Sequence, residues 1–151
     1  MQKDSKLMEE QKNKERSKKN QKGALSGIAK NLPALKRSQK IQKRASKAGF
    51  DWPDVTGVFN KIKEELGELE EALNENHQES IKEEIGDLLM IMTNLAQKLN
   101  VDSEDALISA NKKFTNRFTY IETALENKGT GFSEASFEQL DSLWEDSKKL
   151  S

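Results

Sequence analysis

Residues 61–87 read KIKEELGELEEALNENHQESIKEEIGD, and this spacing admits little besides an antiparallel pair of helices. Apolar residues fall at Val58, Ile62, Leu66, Leu69 and Leu73, the intervals of an α-helix that lays one stripe on a core. Ile81, Ile85, Leu88, Met92, Leu95 and Leu99 repeat the pattern, and Asn74, Glu75, Asn76 and His77 supply a polar turn between the two. These two stripes are expected to form the buried seam of a helical hairpin.

A carboxylate stands immediately before a seam residue four times: Glu65 before Leu66, Glu68 before Leu69, Glu84 before Ile85 and Asp87 before Leu88. Each helix carries its two acids at i and i+3, which puts them together on the shoulder of the stripe, where another helical layer can roof them. The competing reading is that Glu-rich helices simply face water. The charge pattern argues against it. Glu64 with Glu68, Glu71 with Glu75 and Glu83 with Asp87 are like-charge i, i+4 pairs. Each costs about 0.2–0.5 kcal/mol in an isolated helix. Lys61 before Glu65 is the one offsetting pair, in the weaker orientation, so the cluster holds acid that its own helices do not neutralise. A hard divalent cation suits oxygen-only ligands, and Mg²⁺ bound by a few carboxylates is completed by water and by phosphate oxygens of a substrate.

The other classes of chemistry find less support. With no Cys there is no disulfide, thiolate metal site or Cys nucleophile. His77, the only histidine, falls in a predicted exposed turn, which disfavours a Ser-His-Asp mechanism, and there is no Walker P-loop or dinucleotide glycine fingerprint. No apolar run approaches the roughly 20 residues of a membrane span, so a soluble, cytoplasmic chain is expected.

Charge is unevenly spread. Residues 1–47 hold 15 of the 25 Lys and Arg but 4 of the 26 Asp and Glu, so a basic arm precedes an acidic body. Residues 1–22 carry almost nothing apolar and are expected as a charged arm, disordered or forming a lone helix, outside the domain of residues 23–151. A nucleic-acid role for this arm lacks interleaved aromatic residues and any groove-reading motif. A basic helix over 35–48 should end at Gly49, and Asp51 or Asp54 should cap the next. Gly67 and Gly86 lie inside the two acid motifs, where a missing side chain suits either close ligand approach or close helix packing. A helix from about 103 to 126 carries Ala106, Leu107, Ala110, Phe114, Phe118 and Ile121 as its stripe, with Asn111, Lys113 and Arg117 off it. Lys113 and Arg117 either meet phosphate oxygens or form a solvated basic edge. Ser136 with Gln139 reads as a capping box for a last helix, on which Trp144 either stacks on a base or fills the core.

Glu64-Glu65-x-x-Glu68 followed by Glu84-x-x-Asp87 resembles the mark of the MazG family of all-α nucleoside triphosphate pyrophosphohydrolases, EExxE and then ExxD on adjacent helices. NLPALKRSQKIQKRASKAGFDWPD before the motif, ISANKKFTNRFTYIE after it and the closing LDSLWEDSKK extend the resemblance over about residues 24–149, the catalytic, C-terminal half of a two-domain member. Met1 falls within what looks like the family's inter-domain linker. The resemblance implies an all-α bundle of four to five helices, completed by dimerisation. It makes Glu65, Glu68, Glu84 and Asp87 the catalytic metal ligands, for Mg²⁺ or Mn²⁺ as a substitute. It makes Lys61, Lys113 and Arg117 phosphate contacts and Trp144 a nucleotide contact. The implied reaction is hydrolysis of nucleoside triphosphates to monophosphate and pyrophosphate by a homodimer. Asn116 stands where many relatives have Arg, which weakens the phosphate-side charge. The alternatives are a catalytically silent interaction module that uses its acidic groove and basic arm, and a metal-binding regulatory subunit.

Overall fold

A computed structural model describes residues 2–18 and 23–150, and among these every regular element is helical. In chain order they are α1 (Gln2–Lys18), α2 (Ala34–Lys47), α3 (Val55–Asn74), α4 (Gln78–Lys98), α5 (Ser103–Asn127) and α6 (Phe137–Lys148). Of the charged arm, residues 2–18 form α1; residues 1 and 19–22 lie outside the described residues. No described helix is long and apolar enough to cross a membrane. The chain divides between Glu104 and Asp105 into two compact units, with α1 to α4 in the first and nearly all of α5 with α6 in the second.

Local chemistry sets the helix ends. Gly49, at φ +101°, takes the left-handed turn after α2, and Phe50 N–H donates back to Ala45 O at 2.9 Å. Asp54 caps α3, its Oδ1 accepting from Thr56 N at 2.9 Å and Gly57 N at 3.3 Å. His77 caps α4 through Nδ1, which accepts from Ser80 N at 3.2 Å, so the single imidazole is engaged at a helix start away from the acids.

The first unit has a small core of Val58, Ile91 and Leu95, with Trp52, Val55 and Ile62 packed against it. Here the expected seam is corrected. Leu66, Leu73, Ile85, Met92 and Leu99 are exposed, Leu66 at 47% and Ile85 at 45%, whereas Val58, Glu65 and Ala72 are the buried residues of α3. Val58, Ile62 and Leu95 of the expected seam do meet the core, and the buried line of α3 also takes in Glu65, while Glu68 is exposed. In the second unit Ile121, Leu125 and Leu143 form the core, while Leu107, Phe114 and Phe118 of the expected α5 stripe are exposed.

α2 meets α4 through polar groups. Ser38 and Thr93 hydroxyls lie 2.8 Å apart, and the amide of the buried Asn94 donates to Gln42 Oε1 at 3.2 Å. Trp52 leans on the start of α3, where a Cβ built on Gly57 would stand 2.7 Å from Trp52 Cδ1. Gly57→Ala is therefore expected to lower stability by about 1–2 kcal/mol in urea unfolding, because overpacking against the indole outweighs the helix-propensity gain. Unchanged or raised stability would show that Trp52 moves aside freely. No such crowding exists at Gly67 or Gly86, where an added Cβ meets nothing within 4 Å.

Candidate active site

Four carboxylates reach the facing sides of α3 and α4 because helical periodicity places i and i+3 on one face of each helix. Glu65, Glu84 and Asp87 each offer one oxygen, and these three atoms lie within 4.8 Å of one another. Glu65 is 4% exposed, while Glu84 and Asp87 are half-buried. Glu68 stands outside this trio but next to it, and the Glu65 charge raises its carboxyl above the ordinary range.

The electrostatics follow from crowding like charges with little water between them. Desolvation, then the proximity of Glu65 and Glu68, pushes the Glu84 carboxyl up to about 7. Glu65 goes the other way, because Lys61 Nζ donates to it at 2.7 Å and favours its ionised form. Lys61 also pairs with Glu64 at 3.0 Å and is itself held above the usual lysine range.

Whether a divalent cation fits is answered by atoms left over. Glu65 Oε2 and Glu84 Oε2 are both buried and accept no hydrogen bond from the protein. Buried carboxylate oxygens normally find a donor or a metal, and two of them converging with Asp87 make an all-oxygen set suited to a hard cation.

Of the other sequence-predicted residues, Lys61 lies in direct contact with the acid cluster, while Lys113, Arg117 and Trp144 belong to the second unit. There Lys113 and Arg117 line a cavity of about 450 Å³ together with Lys112, Asn116, Tyr120 and Ser147. The Arg117 guanidinium carbon sits 5.3 Å from the centroid of the Trp144 ring, and the Phe114 ring lies 5.5 Å from the same indole. Three cations around one cavity with an aromatic plane under one of them suit a phosphorylated ligand with a ring.

Sequence reasoning missed the polar knot behind the acids. Asp51 and Lys98 pair at 3.0 Å with both side chains largely buried, and Asn94 Nδ2 reaches Asp51 Oδ1 at 3.3 Å. The available signal was spacing: Asn94 follows Asp87 by two helical turns, which puts it on the same face of α4.

Residues 54–121 match the MazG nucleotide pyrophosphohydrolase domain family, a stretch that contains all four carboxylates, Lys61, Lys113 and Arg117 but not Trp144. The chain is 45% identical over 117 residues to the nucleoside triphosphate pyrophosphohydrolase/pyrophosphatase MazG of Thermotoga maritima, covering 78% of this chain and 45% of that protein. It is 38% identical over 143 residues to the nucleoside triphosphate pyrophosphohydrolase of Escherichia coli, covering 93% of this chain and 54% of the other. A Bacillus subtilis protein, YabN, named as uncharacterized, is 36% identical over 126 residues and matched over 26% of its length. The chain thus spans about half the length, or less, of the curated relatives it matches.

Proposed function

We propose that the chain is a member of the MazG nucleotide pyrophosphohydrolase family, which its residues 54–121 match, and that it hydrolyses nucleoside triphosphates of the cytoplasmic pool to the monophosphate and pyrophosphate, with Mg²⁺. The observation that carries the proposal is the convergence of Glu65, Glu84 and Asp87 with two buried oxygens that have no protein donor. A silent interaction module has no use for such an arrangement, which costs folding energy unless a cation completes it.

Glu65, Glu84 and Asp87 would hold the Mg²⁺, with Glu68 beside them. When bound, the ion supplies Lewis acidity toward phosphate oxygens and lowers the pKa of water. The carboxylate cluster orients the attacking water and accepts its proton. Pyrophosphate leaves as the phosphoanhydride breaks, and Lys113 and Arg117, around the cavity of the second unit, are the residues suited to phosphate oxygens. Trp144 stacks on the base.

The protein works as a homodimer. Leu66, Ile85, Leu89 and Met92 are exposed beside the acids, and Gly67 and Gly86 leave open backbone among them. Such an apolar face is large for a helix pair left to water, and a second copy covers it by two-fold symmetry.

Two measurements test this reading. Purified protein is expected to release pyrophosphate from at least one of the common ribo- and deoxynucleoside triphosphates with Mg²⁺ or Mn²⁺; none from any of them removes the enzyme assignment. Light scattering is expected to return about twice the chain mass of 17.1 kDa. A mass near the single chain refutes the dimer.

A further inference from the structure

Lys61 stands one turn before Glu65 on α3, and its ammonium is divided between Glu65 Oε1 at 2.7 Å and Glu64 Oε1 at 3.0 Å. Glu65 is thereby a carboxylate with two different oxygens. Oε1 is held by a cation of the protein itself, while Oε2 is buried with no donor. Glu64 is an exposed alternative partner for the same ammonium, one that a flexible lysine can reach without leaving its own helical turn.

We infer that Lys61 is the resident counter-ion of the carboxylate cluster: its ammonium competes with the divalent cation for Glu65, and cation binding drives it onto Glu64 and into reach of a phosphate. This rests on the cation reading given above and adds to it. As a plain phosphate contact, Lys61 would affect the binding of nucleotide and leave cation binding in the absence of nucleotide untouched. As a counter-ion it weakens cation binding before any nucleotide arrives, because a positive charge on Glu65 both occupies an oxygen and repels an incoming ion.

Two effects oppose each other when Lys61 is removed. The cluster gains a full unit of uncompensated negative charge, which attracts a divalent ion. Glu65 also loses a partner that orients it. The charge effect wins, since Glu65 is packed in the interior line of α3 and its orientation does not depend on the ammonium alone. Without a cation, the same substitution leaves the acids to repel one another.

The test is titration of Mn²⁺ into the full chain without nucleotide, followed by calorimetry, for the wild type, Lys61→Gln, Lys61→Ala and Lys61→Arg. Lys61→Gln and Lys61→Ala are expected to bind Mn²⁺ about tenfold more tightly than the wild type, and Lys61→Arg, which keeps the charge, to bind as the wild type does. Both neutral variants are also expected to melt below the wild type in chelator and to close the gap at saturating Mn²⁺, because the ion replaces the missing charge in the folded state alone. Neutral variants that bind Mn²⁺ no more tightly than a wild type that does bind it overturn the counter-ion role and leave the cation reading standing. A wild type with no saturable Mn²⁺ uptake overturns that reading and this inference together.

Discussion

Asp87→Asn is expected to cut kcat/KM for pyrophosphate release at least about a hundredfold, a loss of roughly 2.7 kcal/mol of transition-state stabilisation, while the metal-free variant melts no lower than the wild type. The substitution keeps the shape of the side chain and removes one unit of charge from three acids whose oxygens lie within 4.8 Å. The crowding is already visible at Glu84, whose carboxyl is pushed up to about 7 by desolvation and by its acidic neighbours. Relieving it cannot cost stability unless Asp87 has a hidden cationic partner. Turnover suffers because an amide oxygen is a weaker ligand for a hard ion and carries no charge to offset it. Stabilisation by added Mg²⁺ is expected to shrink in the same variant. Glu75→Gln, at the exposed end of α3, is the control and is expected to change neither quantity. If Asp87→Asn melts far below the wild type in chelator yet turns over normally, Asp87 is a structural group and the assignment of the site fails.

Helix limits are legible in the sequence wherever one side chain decides them. Asp54 does so at the start of α3, Gly49 after α2, and Ser136 with Gln139 at α6, where both hydrogen bonds of the capping box form. Facing is less legible, and Leu66 and Glu65 show why. Adjacent residues on a helix differ by about 100°, so a helix with two neighbouring apolar arcs offers two consistent core faces. The rule that charge lies outside passes over Glu65, which lies with Val58 and Ala72 among the buried residues of α3, although Val58, Ile62 and Leu95 of the expected seam do meet the core. Recognising the acids by their i, i+3 spacing needs no choice of face, so it names Glu65, Glu84 and Asp87 together with Glu68, which stands outside the trio, and it does not give the burial of Glu65. A Glu that falls seven residues from an inward apolar residue on either side, two helical turns, is itself a signal: it costs energy that only a partner charge, from Lys61 or from a cation, returns.

Lys98→Met is expected to cost about 3–5 kcal/mol and to lower the melting temperature by roughly 10 °C at pH 7. Lys98 joins three parts of the first unit. Its ammonium pairs with Asp51 Oδ2 at 3.0 Å and donates to Trp52 O, and both charged side chains are largely withdrawn from water, at 13% and 14% exposure. Asp51 in turn accepts from Trp52 N at 2.8 Å and from Asn94. The pair therefore fastens the 51–54 turn, which caps α3 and seats Trp52 on Gly57, to the face of α4 that also bears Asp87. Burial alone would raise the Asp51 carboxyl, but Lys98, Ser46, Asn94 and the Trp52 N–H outweigh it and hold it below its ordinary 3.8. A carboxyl depressed in the folded state contributes stability above its unfolded pKa and loses that contribution as pH falls through the folded one. In Lys98→Met the strongest of these opposing groups is gone, burial pushes the Asp51 carboxyl up, and protonation relieves the uncompensated charge. The gap between variant and wild type is accordingly expected to be widest at pH 7 and to narrow as pH falls toward 4, and Asp51→Asn combined with Lys98→Met is expected to recover part of the loss. Urea unfolding at several pH values measures all of this. A single variant within about 1 kcal/mol of the wild type at pH 7 shows that water reaches Asp51 freely enough to replace the ammonium, and the turn before α3 must then be held by its apolar contacts alone.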